Sequence, residues 1–425
     1  MSTKLTAHDK KDLPAEDKLP DATRRRREHF LPIRKPDLVR LILSDERLAT
    51  NEIADLNSIC HRLDALIHLR FHRLLSQLKA AYAPCDPDAD TRNLTDWSEV
   101  ERVQMREHFF DSFGELARNA NYLLLAQEQI ESLAGIASDW GLRLDVDFSI
   151  FARLEVYARG DIMGQKSRRN WRNWFRVEQV DVPTHERLIV CFHLCDHPRM
   201  DETCNSQSIY LKMFKNIPKL DVDMLLPGTR AKMTLFDKGK IWFPTLSGLV
   251  LAFVRFAKAV TFIVSGTLWG FFGFLAIIGG TIGYGIKSFF GYLQTQNKYQ
   301  LNLTRNLYFQ NLDNNAGVVH RLLDEAESQE FREAILAYYL LWRNAPKEGW
   351  TLQQLDEDAE AYLLEKIDLD VDFEADDAVR KLLQIGLAEQ CHDQLIPVTL
   401  STALERLAEC WQFEWTIRGE DADER

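Results

Sequence analysis

No P-loop, GxSxG elbow, HExxH pair, dinucleotide fingerprint or paired CxxC occurs in these 425 residues. Those absences lower the expectation of an enzyme without excluding a site of another kind, and no cofactor is expected. The seven cysteines, at 60, 85, 191, 195, 204, 391 and 410, form an odd set without framework spacing. That excludes a disulfide scaffold and fits reduced thiols in a cytosol-facing protein. Residues 1–18 lack the apolar stretch of a secretory signal, and their acidic side chains argue against a mitochondrial presequence. There is no tandem repeat. Leu-Asp-Val-Asp does recur from Leu144, Leu220 and Leu369, but four residues are too few to carry an argument.

The absence that organises the chain is one of charge. From Ala259 to Ile286 there is no Asp, Glu, Lys or Arg. As helix that run would reach about 42 Å, against a hydrocarbon core of about 30 Å. It is too long for one upright span and too short for two. Adding the apolar residues 242–254 makes room for two helices of about 20 residues. The pattern predicts a transmembrane helical hairpin over 241–294, with helices near 243–264 and 267–289 and a tip at Ser265, Gly266 and Thr267. Net charge is −12, and residues 321–425 hold 10 Lys+Arg against 26 Asp+Glu. So acidic an end avoids nucleic acid and anionic headgroups.

Residues 1–28 are polar, carry Pro14 and Pro20, and end in Arg24–Arg27, the composition of a disordered tail. Over 29–141 the apolar period is helical: Ile53, Leu56, Ile59, Leu63, Leu66, Ile67, Leu74 and Leu78 recur at threes and fours. This predicts a helical bundle, with Thr95 as the N-cap of one member. Over 142–240 the period becomes two, as in Leu188, Val190, Phe192 and Leu194, which predicts a small β-rich module. Residues 295–345 read as juxtamembrane helices, polar first and then amphipathic. Residues 346–425 run helix, helix, hairpin with its bend at His392 and Asp393, then a last helix, the outline of a winged helix. The fold class expected is α+β, mainly α.

Several long stretches resemble the transmembrane protein 143-like family, a group defined by a domain of unknown function in bacteria, plants and animal mitochondria. They are HFLPIRKPDLVRLIL (29–43), YAPCDPDADT (82–91), YLKMFKNIPKLDVDMLLPGTRAKM (210–233), the block 299–342, and VDFEADDAVRKLLQIGLAE (371–389). The resemblance implies two membrane helices near the middle and flanking domains on one side. It brings no reaction and no catalytic residue.

Four residue groups could carry chemistry. Arg255 and Lys258 fall inside the first span, where a charge costs about 2.5–3.5 kcal/mol on insertion scales. They would line a path between subunits, snorkel, or sit on an interfacial helix over 242–260. Gly266 and Gly270, and Gly279 and Gly283, are each four apart and allow close helix packing, within the hairpin or between copies. Cys191, His193, Cys195 and His197 share one strand face and are weak zinc candidates, since a straight strand spreads them over about 20 Å. Asn311, Asp313, Asn314, Asn315 and His320 form a polar cluster beside the membrane, as a ligand site or as helix-break chemistry. The 86–90 run of aspartates fails the calcium-loop pattern, with Thr91 where Gly is needed and Trp97 where Glu is needed. Residues 166–176 interleave Arg with Trp171, Trp174 and Phe175, which suits a membrane interface better than nucleic acid.

The expectation is a membrane-anchored interaction or scaffold protein of the bacterial inner membrane. Its partners would be the bilayer, further copies of itself and a protein bound by the acidic end, but no nucleic acid. Lys232, Lys238 and Lys240 before the apolar run, with Lys287, Lys298 and Arg305 after it, place both soluble parts in the cytoplasm. An oligomeric channel or membrane-perturbing effector lined by Arg255 and Lys258, and an enzyme on a lipid or small molecule seated at 313–315, are the alternatives.

Overall fold

The computed structural model describes residues 28–91, 94, 97–133, 143–169, 177–197, 205–232, 283, 290 and 308–423. They form a mainly α, α+β structure around a five-stranded antiparallel sheet. The chain divides into two compact units. One comprises Met1–Gln129, Phe148–Lys219 and Leu312–Arg425; the other comprises Ile130–Asp147 and Leu220–Asn311. The predicted transmembrane hairpin lies outside the described residues, Gly283 and Phe290 apart. Among the described residues no helix is long and apolar enough to cross a membrane.

In the first unit, α1 (Lys35–Leu43) has Pro36 in its first turn, where the missing N–H costs nothing, and α2 (Thr50–Tyr82) follows. The predicted stripe of α2 is real: Leu56, Ile59, Leu63, Leu66 and Ile67 are all fully buried. Helix α3 (Glu99–Asn119) is capped by Ser98, not Thr95. The Ser98 hydroxyl accepts from the Glu101 N–H at 3.3 Å, and the Glu101 carboxylate accepts from the Ser98 N–H at 2.8 Å. A reciprocal capping box satisfies two end donors at once, which is why the helix starts there. A short strand, β1 (Leu123–Leu124), interrupts the stretch read as a helical bundle before α4 (Gln127–Leu133) begins.

The sheet order is β1-β3-β4-β5-β7, with β3 (Phe151–Arg169), β4 (Val177–Leu194), β5 (Ile209–Pro218) and β7 (Asn311–Asn314). β3 and β4 make a long hairpin, in register from Arg153↔His193 to Arg169↔Val177. Phe148–Ile150, within the stretch read as β-rich, is one 3-10 turn. Both faces of β4 are buried from Leu188 to Leu194. Ile189 and Cys191, with Tyr157, Ile209, Leu211 and Met213, join the same core as the helices. The sheet, the N-terminal helices and the C-terminal helices therefore share one interior.

The axis of that interior is α5 (Ala316–Asn344). The periodicity predicts an amphipathic helix here, but every residue from Phe331 to Leu341 is buried. A helix hydrophobic all round belongs in a core, and α5 meets α1, α2, α3, β5 and the C-terminal elements. Those are α6 (Leu352–Ile367), α7 (Ala375–Ile385), the hairpin β8 (Ala388–Cys391)–β9 (Gln394–Pro397) and α8 (Leu400–Asp423). The bend falls at His392 and Asp393 as the sequence indicates, with His392 at φ 57°. The strand β7 takes residues 311–314, which the periodicity assigns to a helix.

In the second unit, β2 (Arg143–Asp145) pairs antiparallel with β6 (Arg230–Lys232). A 3-10 turn, Lys219–Leu225, leads into it.

Gly160 sits at φ 79° in β3, between the Arg159–Arg187 and Asp161–His185 pairs, and a Cβ there would lie 2.3 Å from that of Glu186. Gly160→Ala is expected to destabilise the protein by at least the 1–3 kcal/mol, roughly, of a strained backbone. Thermal unfolding in mild detergent measures it.

Candidate functional site

The four strand residues Cys191, His193, Cys195 and His197 do not converge. Cys191 points into the core, where burial pushes its thiol well above the usual range. His193 uses both ring nitrogens: Nε2 accepts from Arg106 at 2.7 Å, and Nδ1 donates to the Ser208 carbonyl at 3.3 Å. Burial, then the Arg106 charge, lowers its pKa, so the ring is neutral. Cys195 and His197 follow the end of β4. Among the described residues no group of three or more His, Cys, Asp or Glu could hold a metal ion.

The polar cluster at 311–320 is used for closure. Asn315, at φ 47°, donates its N–H to the Leu211 carbonyl at 2.8 Å, while its side-chain Oδ1 accepts from the Leu211 N–H at 3.1 Å. Its Nδ2 donates to Asp88 at 2.5 Å. Asn315 thus extends the β5–β7 ladder by one side chain and ties it to the 86–90 loop. Asn311, Asp313 and Asn314 lie in β7, and His320 stands on the first turns of α5. A Cβ at Gly317 would lie 1.9 Å from Asp313 Oδ1, so any larger residue there would have to displace the Asp313 side chain. Gly283 is exposed; Arg255, Lys258, Gly266, Gly270 and Gly279 lie outside the described residues.

What the periodicity could not show is a buried ionic network along α5. Glu333 pairs with Lys381 of α7 at 2.6 Å and also accepts from Gln329 at 2.6 Å and Asn121 at 3.2 Å. Burial works against the Lys381 charge, but Glu333 and Glu330 outweigh it and its pKa is raised. Glu327 accepts from Lys35 at 3.0 Å and His68 at 3.1 Å. Glu325 takes Arg159 at 3.0 Å and the Tyr122 hydroxyl at 2.8 Å. Residues 28–31 are threaded through this network. The Glu28 carboxylate accepts from the N–H groups of Gly160 and Asp161, the Phe30 ring lies under Arg159 at 3.8 Å and Arg332 at 5.0 Å, and Leu31 N–H reaches Gln329. These acids and bases hold one another, which suits a rigid frame.

A different arrangement occurs in the 3-10 turn of the second unit. Asp221 and Asp223 are only 5% and 3% exposed, and neither carboxylate oxygen of Asp223 has a hydrogen-bond partner. Burial, and then the Asp221 charge, raises the Asp223 pKa to about 7. The Thr229 hydroxyl lies 3.0 Å from the Asp223 carbonyl and 2.7 Å from that of Leu226, shaping the turn beneath them. The sequence signal was the second Leu-Asp-Val-Asp, where both acids stand among Val222, Met224, Leu225 and Leu226.

A family model described as Protein of unknown function (DUF3754) matches residues 187–317. The match defines a domain of unknown function there and carries no link to the transmembrane protein 143-like family. No solved structure matches the chain.

Two predictions follow from the buried charges. Glu333→Ala should cost about 3–5 kcal/mol, since it strands the Lys381 ammonium. The Glu333→Leu, Lys381→Met double variant should cost less than that single change in denaturant titrations. The second concerns His185, buried in β4 beside the Lys219–Asp161 pair (2.7 Å). Burial, then Lys219, lowers its pKa to about 3. The unfolded chain protonates this histidine below about pH 6.5 and the folded chain does not, so stability is lost as pH falls from there towards 3. The loss is about 1.4 kcal/mol per pH unit. The opposite slope of Asp223 overlies it, so the measurement is the difference between wild type and His185→Gln, which should narrow by about 2 kcal/mol between pH 7 and 5.

Proposed function

We propose that this protein is a membrane-anchored interaction protein, with a folded head tethered to the bilayer by the apolar run 241–294 as a hairpin. The observation that carries the reading is a closure: the chain leaves the first unit after Lys219, next to β5, and re-enters it at Leu312, in β7, the neighbouring strand. Residues on both sides of the apolar run share one core. A single folded body cannot lie on both faces of a membrane. Any entry of the intervening chain into lipid must then be matched by an exit on the same face, and the length of the charge-free run favours two crossings.

The lysines and arginine flanking the run make that face the cytoplasmic one, and the compartment a bacterial inner membrane. The likeness to the transmembrane protein 143-like family supports the same arrangement. Gly266, Gly270, Gly279 and Gly283 supply the small-residue faces by which copies would associate. The acidic end, with Asp376 and Asp377 in the first turn of α7, suits a basic protein partner and repels nucleic acid.

Tagging each terminus tests the topology. In intact spheroplasts neither tag should react with a membrane-impermeant reagent, and in inverted vesicles both should. A terminus that reacts from the periplasm would remove the proposal.

A further inference from the structure

We propose that His68 and His72 of α2 form a binding site for an ion of the zinc or copper class, oriented by the Glu327 carboxylate behind His68. All three residues belong to the first unit, so the site stands whether or not the chain enters a bilayer.

Spacing brings the ligands together. Residues four apart on a helix lie one above the other on one face, with Cβ atoms about 5–6 Å apart. On α2 this sets the His68 and His72 rings 6.5 Å apart between centroids, edge to face. One ion held by both rings at about 2.0–2.1 Å would draw the centroids to about 5 Å. Side-chain rotation covers that difference without moving the backbone. Both residues are exposed, His68 over 68% of its side chain, and the His72 ring makes no hydrogen bond among the described residues. It is free to turn.

The second observation is the group behind His68, whose Nδ1 donates to Glu327 Oε2 at 3.1 Å. A carboxylate can only accept, so this bond holds the proton of the neutral ring on Nδ1 and leaves a lone pair on Nε2. A metal needs that lone pair. A carboxylate in this position is the usual outer shell of a metal-binding histidine, where it fixes the tautomer and the ring orientation. An ion pair between His68 and Glu327 explains the contact less well, because Glu327 already has the Lys35 ammonium at 3.0 Å. Lys35 in turn meets Asp64 at 2.7 Å. Two carboxylates against one ammonium leave this face one positive charge short, and a bound cation supplies it.

Imidazole selects the ion. It suits zinc, copper and nickel and disfavours magnesium and calcium, which take oxygen ligands. Two histidines are half of a tetrahedral shell, and no third His, Cys, Asp or Glu joins them among the described residues. Water completes the shell, so the site is open to exchange, unlike a closed structural one.

The test uses the full chain in mild detergent, stripped with chelator and titrated with zinc, copper(II) or magnesium chloride above the ordinary histidine pKa of about 6.5. The wild type should bind one zinc ion per chain more than His72→Gln or His68→Gln, and zinc should raise its unfolding midpoint further than theirs. His72→Gln removes an exposed ring that holds no hydrogen bond, so it should fold as the wild type does. Copper(II) bound there should show splitting from two imidazole nitrogens in its electron paramagnetic resonance spectrum. Glu327→Gln keeps an acceptor for His68 without the charge and should weaken zinc by about 10–100-fold. Equal zinc stoichiometry and affinity in wild type and His72→Gln would overturn the proposal. So would loss of the ion in only one of the two histidine variants, or magnesium binding that the same variants abolish. Unchanged affinity in Glu327→Gln would overturn the role given to that carboxylate.

Discussion

The structure depends on a closure made by one asparagine. Asn315 meets Leu211 through both backbone and side chain, joining strands whose residues lie about a hundred apart along the chain. Closing a flexible loop of that length costs about 4 kcal/mol by chain entropy. The left-handed backbone at Asn315 adds about 1–3 kcal/mol for a residue with a side chain. Two hydrogen bonds, at about 1 kcal/mol each, do not offset this. The closure persists because α5 begins at the next residue and its core half is buried from Phe331 to Leu341, where each fully buried large side chain contributes about 1.5–3 kcal/mol. The turn is held in place by the helix it launches.

That helix carries charges into the core, and there the energetics are different. Buried ion pairs seldom stabilise more than well-packed apolar residues would. Three acids of α5 instead take partners from different parts of the chain: Glu325 from β3, Glu327 from α1 and α2, Glu333 from α7. An apolar helix could settle against its neighbours at several rotations. These acids meet those partners at one, because turning α5 would part Glu325 from Arg159, Glu327 from Lys35 and His68, and Glu333 from Lys381. The network trades stability for a single arrangement of segments that are far apart in sequence.

This explains which features the sequence discloses. The α2 stripe, the β3–β4–β5 strands and the bend at His392 rest on local periodicity and turn chemistry, so they are legible within a window of a dozen residues. Ser98 was legible too, through Ser98 and Glu101, but the earlier Thr95 also fits a cap, and only the reciprocal hydrogen bonds decide between them. The β7 strand is four residues long and exists because β5 offers an edge, which nothing in 311–314 encodes. The burial of α5 was hidden because its charges look solvent-facing until partners some 50 to 300 residues away are in place. The three copies of Leu-Asp-Val-Asp show the limit most clearly. Asp145 ends in a strand opposite Arg230, the Asp372 carbonyl meets His29, and Asp223 is buried with bare oxygens. Identical tetrapeptides acquire different chemistry from their surroundings alone.

The family match, residues 187–317, starts inside β4 and stops at Gly317, against which the Asp313 side chain packs. The segment therefore holds both strands that close the excursion, the excursion itself and the Asn315 turn. It cannot be a folding unit by itself. Ile189, Cys191, Ile209, Leu211 and Met213 would face water unless the helices on either side of the match cover them. Exposing five such side chains would forfeit most of about 1.5–3 kcal/mol for each of the larger ones, against a net stability of about 5–15 kcal/mol for a whole domain. The matched residues behave as an insertion framed by two strands, and the helices outside the match supply the interior that makes the frame rigid.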